Sequence, residues 1–426
     1  MQYLSETLEN KWSPILDHKD LPDIKDIHRR QVVGQILENQ QSYLSEATPA
    51  SVSGDVATWD PILISLVRRA LPNLIAFDVC GVQPMTGPTG LIFALKATYD
   101  NDPTGSAVSA GDEALGLDEP VTDFSSNGTE GDVAHSGTDP ARTASNAYGG
   151  SAFANTARGM TTALGETDVD PTMGVTIAKV QVTAKTRFLK ASYSTELAQD
   201  MKAVHGLDAE TELSNILSSE ILAEINREVV RSINTIAKKG ALAATGVTTP
   251  GTFDLDTDSN GRWSVEKFKG LMFQIEREAN QIAKGTRRGK GNFIITSSDV
   301  ASALSMAGIL DHAPALQTNL NVDDSGNTLA GVLNGKTKVY VDPYFSATST
   351  EYVTVGYKGP SPFDAGFFYC PYVPLQLVRA LDESSFQPKI AFKTRYGVAG
   401  TPYDNDGVPR VNTNPYYRNF IVSNLM

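Results

Sequence analysis

The amphipathic tract from Asp208 to Lys239 constrains this chain more than any other feature. Asp208 is placed to cap a helix, Glu210 and Glu212 suit its first turn, Lys238 and Lys239 its last, and Gly240 its exit. At about 1.5 Å per residue this is a rod of roughly 48 Å. Its apolar residues Leu213, Leu217, Ile221, Ile225, Val229 and Ile233 recur at every fourth position. On a helix of about 3.6 residues per turn such a stripe drifts by roughly 200° along the rod. One flat partner does not cover it, so the helix is expected to pack on one element near its start and on a different one near its end.

The rest of the chain mixes both kinds of regular structure, which places it in the α+β class. Residues 179 to 190 alternate Val180, Val182, Ala184 and Phe188 with Lys179, Gln181, Lys185 and Arg187, the period of a half-buried strand. Beyond about residue 245, short strands such as KVYVD and TVGY mix with helices over Val265 to Lys284 and Asp299 to Ala307, and KIAFKTRY is the last clear strand. With 426 residues and 41% hydrophobic side chains, two or three packed units are expected.

Charge and cysteine usage exclude several classes. A formal charge of -13, from 36 basic and 49 acidic side chains, opposes free-standing nucleic-acid binding through phosphate neutralisation. Cys80 and Cys370 form no disulfide framework and no metal-ligand spacing; both read as small core residues in a reducing compartment. No secretion signal opens the chain and no apolar run approaches the roughly 20 residues of a membrane span, so assembly in a cytoplasm is expected.

Two stretches stand apart in composition. Residues 1 to 46 carry eight acidic and five basic side chains, with Ile24, Ile27, Val32, Ile36 and Tyr43 at roughly helical intervals. The small-residue tract Ala47 to Thr58 then reads as a linker, and Pro61 to Leu71 as a helix ended by Pro72. From Asp100 to Gly174, Arg142 and Arg158 stand against thirteen acidic residues, a balance of -11. By composition this is either a disordered insertion or an extended loop ordered by neighbouring subunits.

Motifs for chemistry are sparse. DTDSNGRWSVEK, 256 to 267, fits a calcium loop at Asp256, Asp258, Asn260 and Gly261, but its twelfth residue is Lys267 where a bidentate Glu is required. A turn followed by a helix capped by Ser264 is the plainer reading. GTRRGKGN, 285 to 292, lacks P-loop spacing; Lys284, Arg287, Arg288 and Lys290 are expected in a solvated turn, with acidic neighbours or DNA phosphates as the alternative contacts. His18, His28, His135, His205 and His312 are scattered, so neither catalytic residues nor a cofactor are assigned.

Four runs carry a resemblance. ATWDPILISLVRRALPNLIAFDVCGVQPMTGPTGLIFALKATY, at 57 to 99, resembles the N-terminal arm of the major capsid proteins of T-even-like tailed bacteriophages, which are myoviruses. YSTELAQDMKAVHGLDAETELSNILSSEILAEINREVV, NGRWSVEKFKGLMFQIEREANQIAK and YCPYVPLQLVRALDESSFQPKIAFKTRYG agree with that family in order, and EALGLDEPVTDFSS is similar to its loop segment. The chain is shorter than the larger T-even pattern between Tyr99 and Val175.

The resemblance implies a Hong Kong 97-type phage capsid fold and a structural, non-enzymatic role in the virion, with assembly in the bacterial host. It divides the chain into a propeptide (1–46), an N-terminal arm (47–92), an extended loop with a small acidic insertion (93–190), a peripheral domain on the spine helix (191–245), an axial domain (246–385), and a return strand with the C-terminal segment (386–426). Implied partners are further copies in hexameric capsomers, a vertex protein, a scaffold core engaged by the propeptide helix, a prohead protease, a portal, decoration proteins and the enclosed DNA. The protease of such phages cuts after Glu in a Leu/Ile-x-Glu context, which implies cleavage between Glu46 and Ala47 with Leu44 as recognition residue. The same pattern ends at Glu6, Glu38, Glu119, Glu166, Glu224 and Glu383; Glu46 is favoured because an exposed helix-to-linker junction is where proteases cut, and Glu38 is the runner-up. The acidic loop is expected to dock on Lys179, Lys185, Arg187, Lys393 and Arg395 of a neighbour. Alternatives are a pentameric vertex protein, a calcium-binding module or enzyme around Asp256, and a cellular nanocompartment shell.

Overall fold

The computed structural model describes residues 11–17, 24, 26–46, 74–100, 111, 113–114, 166, 172–242, 247–259, 261, 263–308, 310–311, 328–345, 351–382, 387–401 and 410–425. The expected linker at 47–58 and the helix at 61–71 lie outside the described residues, as does most of the acidic tract. Two units separate. One comprises Met1–Ile92, Val180–Ala283 and Arg288–Met426, the other Phe93–Lys179 with Lys284–Arg287.

The first unit holds two sheets. Strands β6 (Ala237–Lys239), β7 (Thr252–Asp254), β8 (Phe293–Ser297), β9 (Leu310–Asp311), β10 (Thr328–Leu333), β11 (Thr337–Asp342), β12 (Glu351–Gly356) and β15 (Asn414–Ser423) form an eight-stranded sheet ordered β6-β15-β12-β8-β11-β10-β9, with β7 also on β15. Every residue of β8 is buried, as expected of a strand covered on both faces. The second sheet is ordered β1-β13-β14-β5, from β1 (Gly81–Val82), β13 (Phe367–Leu381), β14 (Pro388–Gly400) and β5 (Lys185–Ser192). β13 and β14 are antiparallel, with irregular register between Pro371 and Val373 and between Val373 and Gln376.

Helices close both sheets. In chain order they are α1 (residues 11–16), α2 (Ile27–Glu46), α3 (Ala76–Val79), α4 (Thr195–Asp200), α5 (Ala209–Ile236), α6 (Ser264–Thr286) and α7 (Ser298–Met306). α6 buries Phe268, Leu271, Ile275, Ala279 and Ile282, one side of a 3.6-residue period.

The spine helix forms as expected, and the stripe from Leu217 to Ile233 is buried. Its partners change along its length. Glu210 meets Arg379 of β13, and Glu224 and Glu228 meet Arg187 of β5. Between Glu224 and Glu228, Arg227 pairs with Asp342 of β11, and further along Thr354 of β12 donates to Asn234 Oδ1 at 2.7 Å. The rod thus ties one sheet to the other. Asp208 occupies the N-cap position, but its carboxylate accepts from the Thr211 hydroxyl at 2.8 Å and not from a backbone N–H. Lys238 and Lys239 leave the helix for β6, beside β15.

The strand expected over 179 to 190 is two strands. β4 (Met173–Thr183) buries Val180 and Val182, whereas β5 turns Arg187, Leu189 and Ala191 inward and leaves Phe188 55% exposed. The phase flips at Ala184, whose N–H donates to Pro88 O at 2.9 Å as the chain changes sheets.

β4 and β2 (Thr89–Tyr99) pair beside β3 (Glu113–Ala114) in a three-stranded sheet; the second unit holds β3, β2 from Phe93 and β4 as far as Lys179, with Tyr99 buried against Ala114.

Candidate intersubunit surfaces and processing junction

Helix α2 ends at Glu46, the expected cleavage residue, and Leu44 lies in its last turn. Its inner face is Val32, Val33, Ile36, Leu37 and Gln40, all buried in the protein's own core; Ile27, expected on that face, is 67% exposed. The apolar side of this helix is therefore occupied by the same chain. The runner-up Glu38 lies mid-helix, where Lys11 Nζ at 2.7 Å and Trp12 Nε1 at 3.1 Å hold it; the Lys11 hydrogen bond is the main cause of its carboxyl lying below the ordinary value. Glu224, the match inside the spine helix, is paired with Arg187 at 2.6 Å.

Of the five cations expected to receive the acidic loop, the four on the second sheet lie on its two sides. Antiparallel register places Arg187 opposite Thr394 and Lys185 opposite Tyr396, on the side of the sheet that meets α5. Arg187 is taken up there by Glu224 and Glu228, both at 2.6 Å, and its guanidinium lies 5.9 Å from the Tyr396 ring centre. It is a tie within the subunit. Lys393, opposite Phe188, and Arg395, opposite Thr186, stand on the other side. Arg395 lies 5.3 Å over the Tyr372 ring, and its buried Nε has no hydrogen-bond partner. Lys179 belongs to the second unit and is exposed.

The second unit carries a surface that sequence reading missed. Phe93 and Leu95 on β2, and Met173, Val175 and Ile177 on β4, are each more than half exposed. The Thr98 and Thr176 hydroxyls meet at 2.9 Å, so even-numbered residues of both strands share one face. The five apolar side chains, all odd-numbered, therefore share the opposite one. The signal was the alternation GLIFALKATY, whose small and large members both look apolar in sequence.

The remaining motifs resolve into structural contacts. Lys267 places its ammonium on Asp256, where a calcium loop would need a carboxylate ligand to the ion. Asp258 accepts from Thr248 N at 2.9 Å, Thr248 Oγ1 at 2.7 Å and Asp254 N at 3.0 Å, so its oxygens are committed. α6 begins at Ser264, with Glu266 reaching back to Trp263 N at 3.3 Å. In the Gly-rich turn, Lys290 pairs with Glu276, and Arg288 with Asp364 at 3.5 Å. Both expected core cysteines are buried, and burial pushes each thiol up to about 12. Among the described residues, no group of three or more His, Cys, Asp and Glu is arranged to hold a metal, and no helix is long and apolar enough to cross a membrane.

Comparison with known proteins fits surfaces built for contact. The family model described as major capsid protein Gp23 matches residues 56–422. The major capsid protein of Serratia phage KSP90 is 39% identical over 448 residues, covering 99% of each chain. That of Enterobacteria phage T4 is 38% identical over 481 residues, covering 93% of this chain and 91% of its own. The capsid vertex protein of the same phage is 30% identical over 243 residues, but covers only 53% of this chain and 52% of its own. A mixed helix-and-sheet subunit that matches such proteins nearly end to end is a structural component of the virion capsid, and the chain belongs to the Gp23 family of phage major capsid proteins.

Proposed function

We propose that this protein forms the hexamers of an icosahedral or prolate head around double-stranded DNA, on a Hong Kong 97-type fold, and is matured by cleavage between Glu46 and Ala47. End-to-end similarity to major capsid proteins carries the hexamer reading, since the vertex protein matches barely half of the chain. Residues 1–46 are the propeptide, 47–92 the arm and 93–190 the extended loop; the spine helix heads a peripheral domain (191–245), with axial (246–385) and C-terminal (386–426) parts following. A vertex protein, scaffold core, protease, portal and decoration proteins complete the assembly.

The position of Glu46 as the last residue of α2, with the small-residue tract Ala47 to Thr58 following in sequence, supports the cleavage point. In the assembled shell, the acidic tract of one subunit docks on Lys393 and Arg395 of the next, with Lys179 and Lys185 adding charge. Arg187 drops out of that set because its own spine helix holds it.

The N-terminal sequence and intact mass of the chain in purified particles test the maturation. A start at Ala47 is expected, and Glu46→Gln should leave uncleaved, unexpanded particles. Finished particles with an intact Met1 would overturn the processing.

A further inference from the structure

The segment that the proposed cut would discard is among the most deeply seated in the first unit. Between Gln31 and Gln40 of α2, only Gln31 is exposed. α1 belongs to the same seat: Trp12 and Leu16 are buried in the core that holds Val32, Val33, Ile36 and Leu37. Lys11 pairs with Glu38 at 2.7 Å and Arg30 with Asp17 at 2.8 Å, so the two helices form one body.

This body grips two distant parts of the chain. Asn39 Nδ2 donates to Met85 O at 2.8 Å and to Tyr372 O at 3.1 Å, tying the stretch after β1 to β13. One residue on, the buried carboxamides of Gln40 and Gln376 meet at 3.0 Å. At the other end of α2, His28 contacts Val82 O at 3.1 Å, and Arg29 pairs with Asp78 at 2.5 Å while lying over the Phe77 ring. Every partner on the α1–α2 side precedes Glu46. Breaking the peptide bond after Glu46 therefore removes none of these contacts.

We propose that residues 11–46 are a clamp closed in cis, pinning residues 74–85 to β13, and that cutting after Glu46 leaves the clamp seated until a separate, slower dissociation opens the site. Departure strips Met85 O, Tyr372 O and the Gln376 carboxamide of their partners at once, so the body leaves only as water or rearranged chain reaches them. Cleavage licenses maturation, and dissociation times it. The inference rests on the proposed processing only for the position of the cut.

The test uses the full chain with the recognition sequence of a site-specific protease inserted between Glu46 and Ala47, so that it holds whether or not Glu46 is the natural site. After cutting, size exclusion should find the N-terminal peptide still with the remainder, and Asn39→Ala with Gln40→Ala should speed its loss at least tenfold. A peptide that leaves the unsubstituted chain as fast as it is cut would overturn the clamp. Should the double variant fail to fold, hydrogen exchange on the unsubstituted chain decides. Protection at Cys80, Gln83 and Met85 should survive the cut and fall only as the peptide departs; protection lost while the peptide is still bound would overturn the proposal. Failure of the natural processing would appear instead as an intact Met1 in particles.

Discussion

Glu278 puts a carboxylate into the interior: it is fully buried, and its oxygens accept from Gln274 Nε2 and Ala241 N at 2.8 Å and from Arg418 at 3.1 Å. Removing one member of such a pair leaves an uncompensated charge, at a cost of about 3 kcal/mol. Arg418→Met is expected to lower urea-unfolding stability by that amount, and adding Glu278→Gln to recover part of it. Sequence alone marks Glu278 as one more helix carboxylate, because a partner 140 positions away is invisible to local pattern. Lys267 was the opposite case, since its place at the twelfth position of the loop already argued against calcium.

At the level of elements, the spine helix was legible because its stripe is long and its ends are marked. Ile225, buried midway along it, offers a direct check. Ile225→Ala should cost about 3 kcal/mol in chemical unfolding, as a large-to-small change in a packed core. β15 was not legible. NPYYRNFIVS keeps Asn414, Pro415, Tyr416 and Tyr417 all buried, so the alternation that reveals a half-covered strand is missing. The flip at Ala184 was hidden for a related reason: two strands joined without a turn read as one, and only tertiary pairing reveals the change of face. Gly356, the last residue of β12, makes room for the Phe293 ring opposite it, since a Cβ there would lie 2.2 Å from that ring.

For the whole molecule, the proposed assembly draws on both charge and apolar surface. The exposed side chains of Phe93, Leu95, Met173, Val175 and Ile177 form a face that monomeric proteins rarely leave open. Phe93→Asp with Val175→Asp should leave the subunit folded by circular dichroism yet block particle formation in electron microscopy. Lys393→Glu with Arg395→Glu should weaken assembly most at low salt, whereas Arg187→Glu should lower the stability of the subunit itself. Of this site, the acidic tract and the cations were readable as residue types, but which cations are spoken for inside the subunit depended on strand register.

The position of β15 also sets a timetable for synthesis. Strand Asn414–Ser423 pairs with β12 on one side and with β6 and β7 on the other, so until it is translated β6 and β7 have no strand to join them to the rest of the eight-stranded sheet. A ribosome adding about 5–20 residues per second leaves those neighbours waiting with open edges throughout elongation. A chain that stops before Asn414 is thus not a slightly shortened subunit but an unfinished one, with the edges of β6, β7 and β12 uncovered.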